Sequence, residues 1–492
     1  MKVYFCGNFS SQHKSMTVIT RRIYFFLLFL GVNATAQKVF TPGEVRQDIS
    51  FLKNRFETMH PGMNYYGEAA AYDSTFQRLY ENVPERMTYQ EMFRYISPLI
   101  TMVKDGHTSY KSKKKKYGKK PKLLPLYIHE AAGQYYIAYN ASPDTTLVRG
   151  TQVFEINDEP MPQLIKNLQS IYGTDNGNPS SKSYYATRIF NTFYFKYYGP
   201  SDSLKVSYQL PDSATVQTQY IKCLDRSKIS QTIAKRYKSS LRKNFDYKVV
   251  DSINHIAKLD ITSFSMKGKF LDIGQWKFKR LLKKRFTRVE RDNIEHLIVD
   301  FRGNGGGFIP NITRTVQYFT KEPFVLIDTV FFKKKAFNKV APAYTIFSPL
   351  VTRMLFKSYD DTFFYRKPKK PKLYKPIKEN HFDGEVYFLM DGGSYSATTF
   401  TMALAYDMGI GTFIGQPPGG ANWGSFASTW NNFKLPNSKI VIHMPLFKLQ
   451  HSLPNQRSKS FVLTPDYEVD SSFEDFMERK DTVLDFTLDL IK

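Results

Sequence analysis

Between residues 40 and 105 apolar side chains recur at intervals of three and four, first as Ile49, Phe51, Leu52, Phe56 and Met59, then as Met92, Phe93, Tyr95, Ile96, Leu99 and Ile100. That period fits amphipathic helices. Thr88, with Glu91 three residues on, supplies a capping box for the second of them. Residues 38–110 therefore read as a small helical cap. From 123 to 225 the pattern shortens to strand-like runs: Leu124-Leu126-Ile128, Tyr135 to Ala138, Thr151 to Ile156 and Leu204-Val206-Tyr208. Gly150 and Asn157-Asp158 are turn residues, and Met161 to Ile171 is one intervening helix. This segment predicts a small β-rich module. From 245 to 492 strands and helices alternate. His296 to Val299 and Val386 to Leu389 are apolar runs closed by Asp300 and Asp391, as expected of strands covered on both faces in an α/β sheet.

A chain of 492 residues accommodates two or three such domains, and an apolar fraction of 42% supplies their cores. The formal net charge of +26 brings nucleic acid and anionic surfaces into consideration. Much of that charge lies in runs, Lys113 to Lys122, Lys333 to Lys335 and Arg366 to Lys372. They are not interleaved with stacking aromatics or set on a nucleic-acid-binding fold, so they read as solvated loops and no nucleic-acid partner is expected. Two cysteines, Cys6 and Cys223, exclude cysteine-rich metal sites. Arg21 and Arg22, the apolar stretch Ile23 to Val32 and the small residues Ala34-Thr35-Ala36 form the layout of a secretory signal peptide over residues 1–36. Met16, just ahead of the basic pair, is a candidate true start. The apolar core falls short of the ~20 residues of a comfortable span. The expectation is an exported protein of the Gram-negative periplasm with no stable membrane span in the mature chain.

Two strand ends carry candidate chemistry. One continues as Asp300-Phe301-Arg302-Gly303-Asn304-Gly305-Gly306-Gly307, the other as Asp391-Gly392-Gly393-Ser394-Tyr395-Ser396-Ala397. In open α/β sheets ligands gather at carboxyl strand ends, where helices begin. A serine at a helix N-terminus is exposed and favoured as an alkoxide, and a glycine-rich loop lets N–H groups approach an oxyanion. Taken alone, the glycines also fit a tight strand–helix turn, and Ser394 and Ser396 also fit helix caps. A P-loop is excluded by spacing and by the missing Lys-Ser/Thr.

The sequence IVDFRGNGGG, followed downstream by MDGGSYSATTFTMALAYDMGIGTFIGQPPGG, resembles the core of the C-terminal processing (tail-specific) serine protease family. The match covers residues 250–470 well and the upstream segments loosely. The resemblance implies an α/β (ClpP/crotonase-like) catalytic domain with an N-terminal helical cap. The stretch VRGTQVFEINDEPM resembles the carboxylate-loop region of a PDZ-like domain, which assigns 123–225 to such a module. Carried over residue by residue, the nucleophile falls on Ser396 and the oxyanion donors on Gly305, Gly306 and Ala397. Gly419 and Gly420 fall on the family's substrate-binding segment. No cofactor or metal is implied.

A serine needs a base. Where one branch of the family carries a lysine, this chain has Ala421. Asp105-Gly106-His107-Thr108 instead matches the Asp-x-His-Thr signature of the branch similar to the tricorn core protease, which makes His107 the base. LTPDYEVD resembles the family's terminal segment and offers Glu468, or else Asp466, as the third member. Thr399 and Gln416 replace glutamates of the family pattern, and His60-Pro61 resembles a structural feature of its helical region. The expected activity is hydrolysis of peptide bonds in a peptide or unfolded protein through an acyl-enzyme. A non-catalytic receptor for peptides or apolar ligands on the same scaffold is the alternative.

Overall fold

The computed structural model describes residues 38–111, 121–238, 242–266, 273–340, 348–366, 370–457 and 460–492. The expected leader at 1–36, the lysines from 113 to 120 and part of the 366–372 run lie outside the described residues. No helix among the described residues is long and apolar enough to cross a membrane.

Helix α1 (Pro42–Met59) starts at a capping box in which Thr41 and Glu44 satisfy each other's backbone N–H, with Pro42 in the first turn. Helix α2 (Ala69–Glu81) buries only Tyr72 and Leu79, too sparse an apolar stripe for the sequence to announce it. Helix α3 (Tyr89–Thr101) opens at the Thr88–Glu91 box expected from the sequence. Strand β1 (Ser109–Lys111) follows.

Strands β2 (Leu126–Ala131), β3 (Gln134–Asn140), β4 (Gln152–Ile156), β5 (Ser203–Gln209) and β6 (Val216–Lys222) pair antiparallel in that order. Helix α4 (Met161–Ser170) is the one expected. Two more, α5 (Pro179–Arg188) and α6 (Phe190–Tyr198), occupy a stretch so dense in Tyr and Phe that no period shows. Ile128, Ile137, Val153, Leu164, Leu168, Phe190 and Val206 share this unit's own core.

A six-stranded, mostly parallel sheet contains β7 (Tyr247–Asp251), β8 (Ile256–Asp260), β9 (His296–Asp300), β11 (Glu385–Met390), β12 (Thr412–Gly415) and β15 (Tyr467–Glu468). Only the β7–β8 pairing is antiparallel. Leu297 and Val299 enter one core while Ile298, between them, enters the core on the other face, so β9 is apolar throughout. Helix α7 (Ile273–Arg291) connects β8 to β9, and α8 (Ala397–Asp407) follows β11. A second sheet holds β10 (Ile327–Lys333), β13 (Gly424–Lys434) and β14 (Val441–His451). β14 pairs with β10, with β13 and with β1.

That last pairing positions the site. The buried faces of α1 and α3 share one core with Phe332, Leu435, Ile440, Ile442, Met444 and Leu446 of the second sheet. The N-terminal helices are thus fixed to the C-terminal half of the chain, and the loop between α3 and β1 is carried to the carboxyl ends of the mostly parallel sheet.

Candidate active site

At the first strand end, Asp300 is fully buried and accepts hydrogen bonds from the Arg302 backbone N–H (3.0 Å), Nε (3.0 Å) and Nη2 (2.7 Å). Lys258 and Arg242 approach it at 3.1 and 3.0 Å. Burial would raise its carboxyl, but the charges of Arg302, Arg242 and Lys258 prevail and hold it well below the usual carboxylate range. Arg302 also forks onto Asp481 at 2.6 and 2.7 Å.

Two residues tie this end to the second strand end. Asp391 accepts from the N–H of Gly303 (2.8 Å) and of Gly393 (3.0 Å). Asn304 gives its amide to Ile261 O (2.8 Å), accepts the Gly306 N–H at Oδ1 (2.9 Å), and accepts the Tyr395 N–H at its carbonyl (2.9 Å). Gly306, at φ +91°, packs so closely that a Cβ there would lie 2.8 Å from the Ser396 Cβ and from the Ala397 nitrogen. Only glycine fits there.

Ser396 caps α8 with φ 57° and ψ −121°, outside the ordinary regions for a side-chain-bearing residue. Such a backbone costs of order 1–3 kcal/mol and is held by its surroundings. Its neighbour Ser394 is turned inward, donating to Phe301 O at 3.0 Å. Ser396 Oγ lies 3.1 Å from His107 Nε2.

The ring of His107 is fixed by its own loop. Asp105, fully buried, accepts the His107 backbone N–H (2.9 Å) at one oxygen and the Thr108 hydroxyl (2.6 Å) at the other. That second oxygen is 3.0 Å from His60 Nε2. His60 accepts the Gly62 N–H at Nδ1 (2.9 Å), so its own proton resides on Nε2, facing Asp105. His60 thus has the structural part expected of it. Burial would raise the Asp105 carboxyl, but hydrogen bonds from His107 and His60 keep it well below the normal range.

The far nitrogen, Nδ1, faces Tyr395 Oη at 2.9 Å, Ser425 Oγ at 3.3 Å and Asp105 Oδ1 at 3.7 Å. Tyr395 donates to Asp175 Oδ1 at 2.9 Å. Asp175 also accepts the N–H of Gly106 (2.9 Å) and of Ala421 (3.2 Å). Burial, and next the charge of Asp105, push Asp175 up to about 6. Burial disfavours the His107 cation, yet the hydrogen bond and charge of Asp105, with the charge of Asp175, outweigh it and raise the imidazole above its ordinary 6.5.

Several expectations are corrected here. Glu468 and Asp466 are exposed, not turned to His107. Glu468 lies on β15 opposite Gly415, and Asp466 binds the Phe413 N–H at 2.8 Å. That segment is committed to extending the sheet, and Tyr395, Asp175 and Asp105 take the place proposed for it. The Gly306 N–H already has Asn304 as its acceptor, whereas the N–H groups of Gly305 and Ala397 have none among the described residues. Gly419 and Gly420 are buried rather than open to a substrate. A Cβ on Gly419 would meet Gly392 O at 2.4 Å, and one on Gly420 would meet Thr399 Oγ1 at 2.6 Å. They let the loop after β12 close against α8. Thr399 and Gln416 bond to Ser394 O (3.0 Å) and Val469 O (3.3 Å), as packing groups. Nothing in the sequence pattern marks Tyr395 or Asp175 as partners of the imidazole. Asp175 stands in Thr174-Asp175-Asn176-Gly177, an ordinary turn composition, and only folding shows it buried.

A strained serine at a helix start, an imidazole in hydrogen-bond reach and free N–H groups beside it define a serine-type peptidase. Residues 255–469 match the family model of peptidase family S41, in line with the resemblance of this segment to the C-terminal processing proteases. Mature CPAF superposes with a TM-score of 0.63 at 14% identity, over 92% of this chain and 98% of that one. Mature CPAF complexed with lactacystin gives 0.63 at 13% identity, over 92% and 99%. These likenesses show a common fold. No curated protein sequence matches.

Proposed function

We propose that this chain is an exported endopeptidase of the branch that uses histidine, cleaving peptide bonds through an acyl-enzyme on Ser396. The 3.1 Å approach of His107 Nε2 to Ser396 Oγ carries the reading. Ser396 attacks the carbonyl carbon and its proton passes to His107 Nε2. The oxygen, now negative, takes hydrogen bonds from Gly305 and Ala397. His107 returns the proton to the departing amine, and water, activated by the same ring, releases the acyl group. Throughout, the ring must keep its other proton on Nδ1. Tyr395 enforces that tautomer: its hydroxyl hydrogen goes to Asp175, leaving the oxygen to accept Nδ1–H. Tyr395 and Asp175 are positioning residues. The methyl group of Ala421 cannot serve as a base, so nothing at that place competes with the imidazole.

The sheet β2–β6 with α4 is the PDZ-like module in this proposal. It would hold the peptide's terminus or add it as a strand, and the periplasm is the proposed compartment. A purely receptor function leaves unexplained why Ser396 is held in a strained conformation against an oriented imidazole.

A fluorophosphonate probe tests the proposal by covalent labelling followed by peptide mapping. Label is expected on Ser396, and is lost in Ser396→Ala and in His107→Ala. A wild-type chain that takes no label, or equal labelling in His107→Ala, refutes it.

The pH dependence follows from the charges around the ring. Only neutral His107 accepts the proton, so kcat/KM falls as pH drops through its raised pKa. The acid limb is expected above about 6.5, the ordinary imidazole value. Asp175→Asn removes one of the charges that favour the cation, so the limb moves to lower pH while the plateau falls. A pH–rate profile of both forms checks the direction.

A further inference from the structure

Tyr395 touches the His107 imidazole from within the protein, with ring centroids 4.8 Å apart and Tyr395 itself buried. A second aromatic ring touches it from the solvent side. Trp430 lies 5.9 Å from the His107 ring and is 41% exposed. A tryptophan left in water forgoes much of the burial its large ring offers. Trp430 is also placed with effort. The pairing of β13 with β14 breaks between Ala427 and Trp430, and the bulge runs through Ser428 (φ 62°) and Thr429 (φ 34°), two consecutive residues in the left-handed region that neither type favours. Bulges of this kind re-aim side chains beside active sites.

Beneath Trp430 lies His443, ring on ring at 4.3 Å with planes 19° apart. His443 is anchored to Asn432 at 2.6 Å. It pairs with Ser109, two residues after His107. The stacked pair and the imidazole are therefore held by the same β1–β14 ladder.

The chemistry fixes which part of a substrate passes this surface. His107 hands its proton to the departing amine, so the chain that follows the scissile bond leaves alongside the imidazole. The side chain just after that bond is the one within reach of Trp430. A flat ring, half open to water and backed by a second ring, offers offset or edge-on contact to an aromatic partner and apolar area to a large aliphatic one.

We infer that Trp430, stacked on His443, is a specificity-determining shelf that selects an aromatic or large apolar residue immediately after the cleaved bond. The inference rests on the Ser396–His107 reading.

Peptides identical except for Phe, Leu or Gly at that position test it. In the wild type, kcat/KM is expected to favour Phe over Gly, and Trp430→Ala to reduce that ratio about tenfold, in line with an aromatic contact of ~1.4 kcal/mol. Trp430→Phe keeps most of the preference. The same peptides are titrated by calorimetry into Ser396→Ala, which cannot cleave, and into Ser396→Ala with Trp430→Ala. Loss of the Phe preference in the second chain supports the shelf. A ratio unchanged by Trp430→Ala in cleavage or in binding overturns it. Absence of wild-type cleavage, with the binding preference present and dependent on Trp430, supports the shelf and refutes the hydrolytic reading instead.

Discussion

His107→Ala lowers kcat for peptide hydrolysis by ~10⁴-fold or more, and Ser396→Ala does the same, with the double variant scarcely worse than either. The non-additivity is the informative part. Serine without its imidazole remains an alcohol, protonated at neutral pH and a poor nucleophile. An imidazole without the serine has no acyl acceptor to serve. Either loss therefore removes one joint function. What remains comes from the Gly305 and Ala397 N–H groups and from substrate binding. Steady-state kinetics on the single and double variants check this. Additive losses would mean that the two groups act separately. Because Ser396 is strained and His107 is held through its own loop, neither truncation is expected to lower the unfolding midpoint, so circular dichroism should report an intact fold.

The second large effect falls on stability. Asp300→Ala is expected to cost ~3 kcal/mol, the low end for breaking a buried ion pair, because it removes the fully buried anion that Arg302, Arg242 and Lys258 share and leaves them only Asp481 and Asp260 as partners. Urea unfolding of both forms measures the gap. Its pH dependence has a definite sign. The folded carboxyl is held far below its unfolded value of ~3.9. Its contribution is therefore complete above that pH and declines as pH falls below it, when the unfolded chain takes up a proton. Wild type and variant should converge in acid. Since Asp300 opens the loop that holds Gly305, the variant should also lose activity at temperatures where it is still mostly folded.

Much of this arrangement was legible in the sequence, for identifiable reasons. The α3 start was written in Thr88 and Glu91, because a capping box is local. The buried strands β9 and β11 showed themselves as short apolar runs ending in Asp300 and Asp391. Ser396 and His107 stood in compact motifs whose residue types the chemistry requires. The remainder depends on contacts between distant segments. Helix α2 buries too few side chains to leave a period. Helices α5 and α6 lie in a tract where nearly every residue is aromatic or polar without order. Glu468 stands in a motif that resembles the family's, yet its segment is consumed in sheet pairing. Asp175 and Tyr395 are partners only through the approach of the middle unit to the serine turn, where the Tyr395 hydroxyl lies 2.9 Å from Asp175 Oδ1.

The β1–β14 ladder, which joins Ser109 to His443, has a consequence for the cell that makes this protein. Base and nucleophile are encoded far apart and meet only once β1 and β14 have paired. A nascent fragment that lacks β14 therefore has no ladder to seat the imidazole beside the serine, and cleavage waits until β14 has paired.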